Sequence, residues 1–172
     1  RFRPHAKTHK CSDIAQHQLD AGAVGVCCAT LHEATTMVEA GISGVLLTSP
    51  VVGAAKINRL VGLNLEANKL KAVTDNQTNV SELSDTARRE NTELDILIDI
   101  DIGMQRTGVH EPQEIVSIAN LIQNSPNLNY AGVQAYSGKV QHIENYQERE
   151  QEYGAQLNHL EAVFKALAAA EL

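Results

Sequence analysis

Short apolar runs return along this chain at intervals of about 20 to 30 residues: AVGVCCAT, SGVLLTS, KLKAVTD, LDILIDIDIG and NLNYAGVQAYSG. Each is rich in Val, Ile, Leu or Tyr and too short for a globular helix, so each is expected to be a strand. The stretches between them carry helical periodicity. Ile115, Ile118, Ala119 and Ile122 fall at i, i+3, i+4 and i+7, and Pro112 stands where a first helical turn would begin. Asn79 and Glu82 have the spacing of a capping box. Toward the C-terminus, Tyr153, Leu157, Leu160, Phe164 and Leu167 share one stripe and predict a long amphipathic helix. Strands alternating with helices form βαβ units, and these build a parallel sheet covered by helices.

Taking the opening RFRPHAKTHK as the tail of a first strand gives six β positions, against the eight of a (β/α)8 barrel. The chain begins within an expected strand and ends within an expected helix. The expectation is therefore an α/β fold, a partial barrel of about six βα units, with no linker or domain boundary inside it. Composition narrows the function classes. With a net charge of −7 and basic residues crowded at the N-terminus, a nucleic-acid surface has little support. No apolar run approaches 18 residues and no signal-peptide pattern is present, so no membrane role and a cytoplasmic setting are expected. Cys11 stands alone, and Cys27 and Cys28 lie inside an apolar run, which suits buried small hydrophobes better than a zinc or disulfide pattern.

In parallel α/β folds the chemistry gathers at the carboxyl ends of the strands, where loops vary without disturbing the core. The unusual residues fall there: Lys7, His9 and Lys10 after the first strand, Thr30 after the second, Thr48 and Ser49 after the third, and Asp75 and Asn76 after the fourth. Arg106 follows the fifth, and Tyr136 closes the sixth. Lys7 is either a solvated terminal lysine or a nucleophile. On an extended strand His5, Lys7 and His9 would share a face, and such crowding favours a neutral, reactive amine. A metal pair of His5 and His9 needs helical spacing, which Pro4 opposes. Arg106 is a surface loop residue or a cation aimed at an anionic oxygen, with Gly103 permitting the turn. Asp99 and Asp101 need partners inside a barrel, and Arg106 is one candidate. Tyr136 is by default a core aromatic.

RPHAKTHK, AGAVGVCCAT, DILIDIDIGMQRTGV and GVQAYSGKVQH, in this order, resemble the D-threonine aldolase and D-serine dehydratase group, whose fold-type III barrel is shared with alanine racemase. The resemblance spans essentially the whole chain. It implies pyridoxal 5'-phosphate held by the amine of Lys7, with Arg106 meeting the phenolic oxygen, Tyr136 against the pyridine ring, and His9 also at the cofactor. Relatives vary where Thr30 and Thr48 stand, and Lys139 occupies a place often taken by small residues or His.

By the same resemblance, residues 1–172 are a fragment of the cofactor-binding barrel. The phosphate-holding loop and a C-terminal β domain with divalent-metal ligands would lie beyond Leu172, so this chain supplies no metal ligand and the fragment alone is expected to be inactive. The implied activity is that of a pyridoxal-phosphate lyase on D-configured β-hydroxy amino acids, foremost D-threonine to glycine and acetaldehyde. D-serine dehydration and 3-hydroxy-D-aspartate cleavage share the motifs. A non-catalytic pyridoxal-phosphate carrier is the alternative of another class. The implied partner is a small-molecule D-amino acid, and a homodimer is compatible with the family.

Overall fold

The computed structural model describes residues 2–67 and 70–172. Arg1 of the opening basic run and Lys69 of KLKAVTD lie outside the described residues. The elements alternate as the apolar spacing predicts: α1 (Ser12–Asp20), β1 (Cys27–Cys28), α2 (Leu31–Glu39), β2 (Leu46–Leu47), α3 (Ala54–Glu66), β3 (Lys71–Thr74), α4 (Gln77–Arg89), β4 (Leu94–Ile100), α5 (Pro112–Gln123), β5 (Leu128–Ala135) and α6 (Tyr146–Ala169). All strand pairs are parallel and the sheet order is β1-β2-β3-β4-β5. A doubly wound sheet reverses its order at a switch point, whereas a barrel keeps adding strands on the same side. The sequential order is that of part of a (β/α)8 barrel.

The first β position is reduced to a single parallel bridge between His5 and Cys27, beside which Cys27 N donates to Pro4 O at 2.7 Å. The chain winds into a 3-10 turn, Ala6–Thr8, directly afterwards. The core lies between sheet and helices, with Ile96, Ile98 and Ile100 of β4 set against Ile115, Ile118 and Ile122 of α5, all essentially without solvent contact. Burying each such side chain contributes about 1.5–3 kcal/mol. Pro112 opens α5 as expected, since its fixed φ suits a first turn and its missing N–H would have had no helical partner.

Two local expectations are corrected. The cap of α4 is Asn76, whose Oδ1 accepts the Asn79 N–H at 2.8 Å, and not Asn79. Asn79 is buried instead: it accepts from Thr74 Oγ1 at 2.9 Å and donates to Val51 O at 2.8 Å. Those tertiary bonds favour a start three residues earlier than the Asn79–Glu82 pattern suggests. In α6 the buried positions are Gln156, Val163 and Leu167, while Tyr153, Leu157 and Phe164 are exposed. At 100° per residue the inward face is turned by about 60° from the sequence stripe, with Leu167 shared by both. Among the described residues, no helix is long and apolar enough to cross a membrane.

Candidate functional site

Lys7 projects from the middle of the 3-10 turn, not from an extended strand, so the strand alternation that would group His5, Lys7 and His9 ends at Ala6. Besides a cap from the His5 ring, three bonds hold the turn. Lys10 N and His9 N donate to Ala6 O at 2.7 and 3.2 Å, and Thr8 Oγ1 donates to His5 O at 3.0 Å. His5 and Lys7 face a common cavity, and His9 is not among its lining residues. The His9 ring turns to the following segment, where Nδ1 accepts the Cys11 N–H at 3.1 Å.

The cavity has a volume of about 270 Å³ and opens at the carboxyl ends of the strands. His5 and Lys7 come from the first β position, Cys27 and Ala29 from the end of β1, Thr48 and Ser49 from the residues directly after β2, Arg106 from the loop after β4, Gln134 from β5 and Tyr136 from the residue after it. The Lys7 Nζ lies 5.8 Å from the centre of the Tyr136 ring, and the Arg106 Cζ lies 5.4 Å from it. Both distances are within the range of cation–π attraction. Tyr136 is 41% exposed, so it is a rim residue and not the core aromatic of the default reading. Gly138 makes room for it, because a Cβ there would meet the Tyr136 hydroxyl at 2.7 Å. A second cavity of about 540 Å³ shares Ala29 and Ser49, but Lys7, Arg106 and Tyr136 do not line it.

Three carboxylates shape the loop that carries Arg106. Asp101 Oδ1 accepts from the backbone of Gly103, Met104 and Gln105 at 2.8, 2.8 and 3.0 Å. Burial alone would raise the Asp101 pKa; the backbone donors outweigh it and hold the carboxyl below its usual range. Gly103 turns the backbone at φ 117°, and Gln105 is held at φ 52°, a left-handed conformation costly to a side chain. Asp99 is 4% exposed and accepts from Thr107 Oγ1 and Gln134 Nε2, both at 2.8 Å. Burial pushes its pKa up, partly offset by those two donors. Asp75 accepts the Gly108 N–H at 3.2 Å. The aspartates therefore pair with the loop backbone, Thr107 and Gln134 instead of with Arg106, correcting that expectation. Among the described residues Arg106 makes no ion pair, which leaves its guanidinium available to an anion.

Of the other rim residues, Thr30 caps α2 by accepting the Glu33 N–H at 3.2 Å, and Asn76 caps α4. Cys28 is fully buried, its thiol pushed up to about 12 by burial first and then by Glu33 and Cys27. Cys27 is only half-buried and lines the cavity, a correction to the reading of both thiols as buried. Burial also raises its pKa. Gln134 escaped the sequence reading, although a signal existed: it stands two residues before Tyr136 in VQAY, so in a strand the two share a face.

Comparison with known proteins gives this geometry a context. The family model described as alanine racemase, N-terminal domain, matches residues 3–172. The chain is 38% identical over 148 residues to a D-threonine aldolase from Arthrobacter sp., covering 86% of this chain and 39% of that protein. It is 36% identical over 170 residues to a 3-hydroxy-D-aspartate aldolase from Paracoccus denitrificans, covering 98% of this chain and 44% of that protein. The crystal structure of D-threonine aldolase from Filomicrobium marinum superposes with a TM-score of 0.95 at 35% identity, over all of this chain and 46% of that one. The chain thus spans less than half the length of the relatives it matches.

Proposed function

Because the chain belongs to the alanine racemase N-terminal domain family, we propose that it forms the cofactor-binding barrel portion of a pyridoxal-phosphate lyase acting on D-configured β-hydroxy amino acids, cleaving D-threonine to glycine and acetaldehyde. The observation that carries this reading is the convergence of an amine, Lys7, and an unpaired guanidinium, Arg106, on the ring of Tyr136 at one strand-end cavity. That donor set fits the cofactor's chemistry: an amine for an aldehyde carbon, a cation for an anionic oxygen, and an aromatic face for a flat ring.

When bound, pyridoxal phosphate supplies a ring that spreads the negative charge developing at the substrate's reacting carbon. Lys7 Nζ would hold the cofactor's aldehyde carbon and, once exchanged for the substrate amine, is the group placed to carry a proton. Arg106 would meet the phenolic oxygen, held there by a loop already ordered by Asp75, Asp99 and Asp101. Tyr136 would lie against the pyridine ring. His9, outside the cavity, supports the segment that follows the Lys7 turn. A divalent ion with ligands outside residues 1–172 belongs to the same proposal, as does a C-terminal β domain; the exposed Tyr153, Leu157 and Phe164 of α6 are consistent with further chain packing there.

Cleavage of 3-hydroxy-D-aspartate is the second reading, favoured by the similarity to an aldolase of that name over nearly the whole chain. Product analysis separates the possibilities in the protein that carries this chain. D-threonine is expected to yield glycine and acetaldehyde. Glycine and glyoxylate formed faster from 3-hydroxy-D-aspartate would favour the second reading, and 2-oxobutyrate with ammonia from D-threonine would indicate dehydration. Bound cofactor with no turnover of any of these substrates would identify a carrier.

A further inference from the structure

His5 lines the cavity together with Lys7, and its ring contacts define which nitrogen carries the proton. The backbone N–H of Lys7 donates to His5 Nδ1 at 3.3 Å, capping the turn from which Lys7 projects. A nitrogen that accepts a hydrogen bond has no proton, so the proton of a neutral ring sits on Nε2. Nε2 lies 3.5 Å from Thr48 Oγ1. That hydroxyl spends its own proton on Cys28 O at 3.0 Å, which leaves its lone pairs to accept from His5. Thr48 is tied in turn to β5, where Gln134 Nε2 donates to its carbonyl at 3.1 Å and to Asp99 Oδ1 at 2.8 Å. The ring is therefore a strut: one edge shapes the Lys7 turn, and the other rests on the end of β2.

We infer that His5, as a neutral imidazole with its proton on Nε2, is a positioning residue that sets the backbone turn presenting Lys7 to the cavity. The inference rests on Lys7 being the cofactor lysine and goes beyond it by naming what aims that lysine. A protonated ring would have a donor at both nitrogens and could not accept the Lys7 N–H. The surroundings favour the neutral form, since burial first and the nearby Lys7 second lower the His5 pKa, with Glu33 opposing them. The arrangement also gives Thr48 a task that its position at a strand end did not reveal.

The test uses the protein that carries this chain, with and without pyridoxal phosphate. Long-range proton–nitrogen correlation on histidine-labelled protein reports the ring state directly, and a neutral ring with Nε2–H is expected near neutral pH. Four variants then separate the two edges. His5→Asn keeps an acceptor near the Nδ1 position, His5→Gln keeps only the outer polar atom, His5→Phe keeps the ring without either, and Thr48→Val removes the outer support. The Lys7 amide should exchange with solvent roughly fivefold faster in His5→Phe and His5→Gln, the factor that one net hydrogen bond of about 1 kcal/mol is worth. His5→Asn should restore the protection. Capture of pyridoxal phosphate at Lys7, read by borohydride reduction and peptide mass, should slow in the same order, with Thr48→Val intermediate and unfolding midpoints little changed. A ring protonated on Nδ1, or capture and exchange unchanged in His5→Phe, overturns the inference while leaving the cofactor reading intact. Wild-type protein loaded with cofactor but unlabelled at Lys7 overturns both.

Discussion

Helices α5 and α6 carry the same kind of periodic apolar stripe in the sequence, yet α5 buries all of it and α6 only one edge. In α5 the predicted residues Ile115, Ile118, Ala119 and Ile122 all lose their solvent contact against the sheet. In α6 the predicted Leu167 is buried and Leu160 packs against the core, but the predicted Tyr153, Leu157 and Phe164 face outward, and Gln156 and Val163 complete the inward face. The difference lies in what waits beneath each helix. Under α5 is β4, an isoleucine-rich strand that any apolar stripe can cover. Under the middle of α6 is the polar loop carrying Arg106, where Gln156 comes close to Gly103 and the His159 ring stacks on His110 at 4.2 Å. Apolar residues span a wide arc of α6, so periodicity reveals that a stripe exists without locating its centre.

Substitutions can break this comparison or sharpen it. Ile118→Ala should cost the most, about 2–5 kcal/mol in urea or thermal unfolding, because the side chain is wholly enclosed; a loss near zero would mean that α5 is not the packed helix. Gln156 is 4% exposed and its Oε1 has no partner among the described residues. Gln156→Met, of similar length, should therefore stabilise by about 1 kcal/mol. Destabilisation instead would show that this oxygen is satisfied and that the polar inward face of α6 is held by a bond. Leu157→Gln should shift stability by no more than about 0.5 kcal/mol in residues 1–172; a cost approaching that of Ile118→Ala would place the exposed stripe in a packed interface.

The smallest effect is expected from pH, and it should separate the helices locally. Burial first and the neighbouring His110 second lower the His159 pKa from its ordinary 6.5. Below about pH 6.5 the unfolded chain then takes up a proton more readily than the folded one, so this contribution to stability declines as pH falls toward the lowered folded value. Hydrogen-exchange protection in α6, taken relative to the intrinsic rate at each pH, should fall over that window, and His159→Gln should flatten the response; an equal loss of protection in α5 would contradict the assignment.

Much of the fold was legible because it depends on order alone. Alternating apolar runs and helical periods imply parallel βα units whatever the side-chain details, and the strand-end rule brought Lys7, Arg106 and Tyr136 to one rim before any contact was known. The details that escaped depend on competition between partners. Asn76 and Asn79 both have cap chemistry, and only the burial of Asn79 against Thr74 and Val51 decides between them. Asp99 and Asp101 needed partners, but backbone N–H groups, Thr107 and Gln134 were nearer than Arg106. A few residues around Lys7 could equally have been strand or turn, and the bond to His5 falls on the side of the turn.

The central claim is that Lys7 carries the cofactor, and one measurement addresses it most directly. The protein that carries this chain is loaded with pyridoxal phosphate, reduced with borohydride and mapped by peptide mass spectrometry. Lys10 is the nearest competitor in sequence, but it leaves the turn at φ 49° and pairs with Glu33 at 3.6 Å, whereas Lys7 faces the cavity beside Tyr136. The expected result is a stable pyridoxyl adduct on Lys7, abolished by Lys7→Ala. An adduct on Lys10, on Lys139 or on a lysine outside this chain, with Lys7 unmodified, would contradict the account.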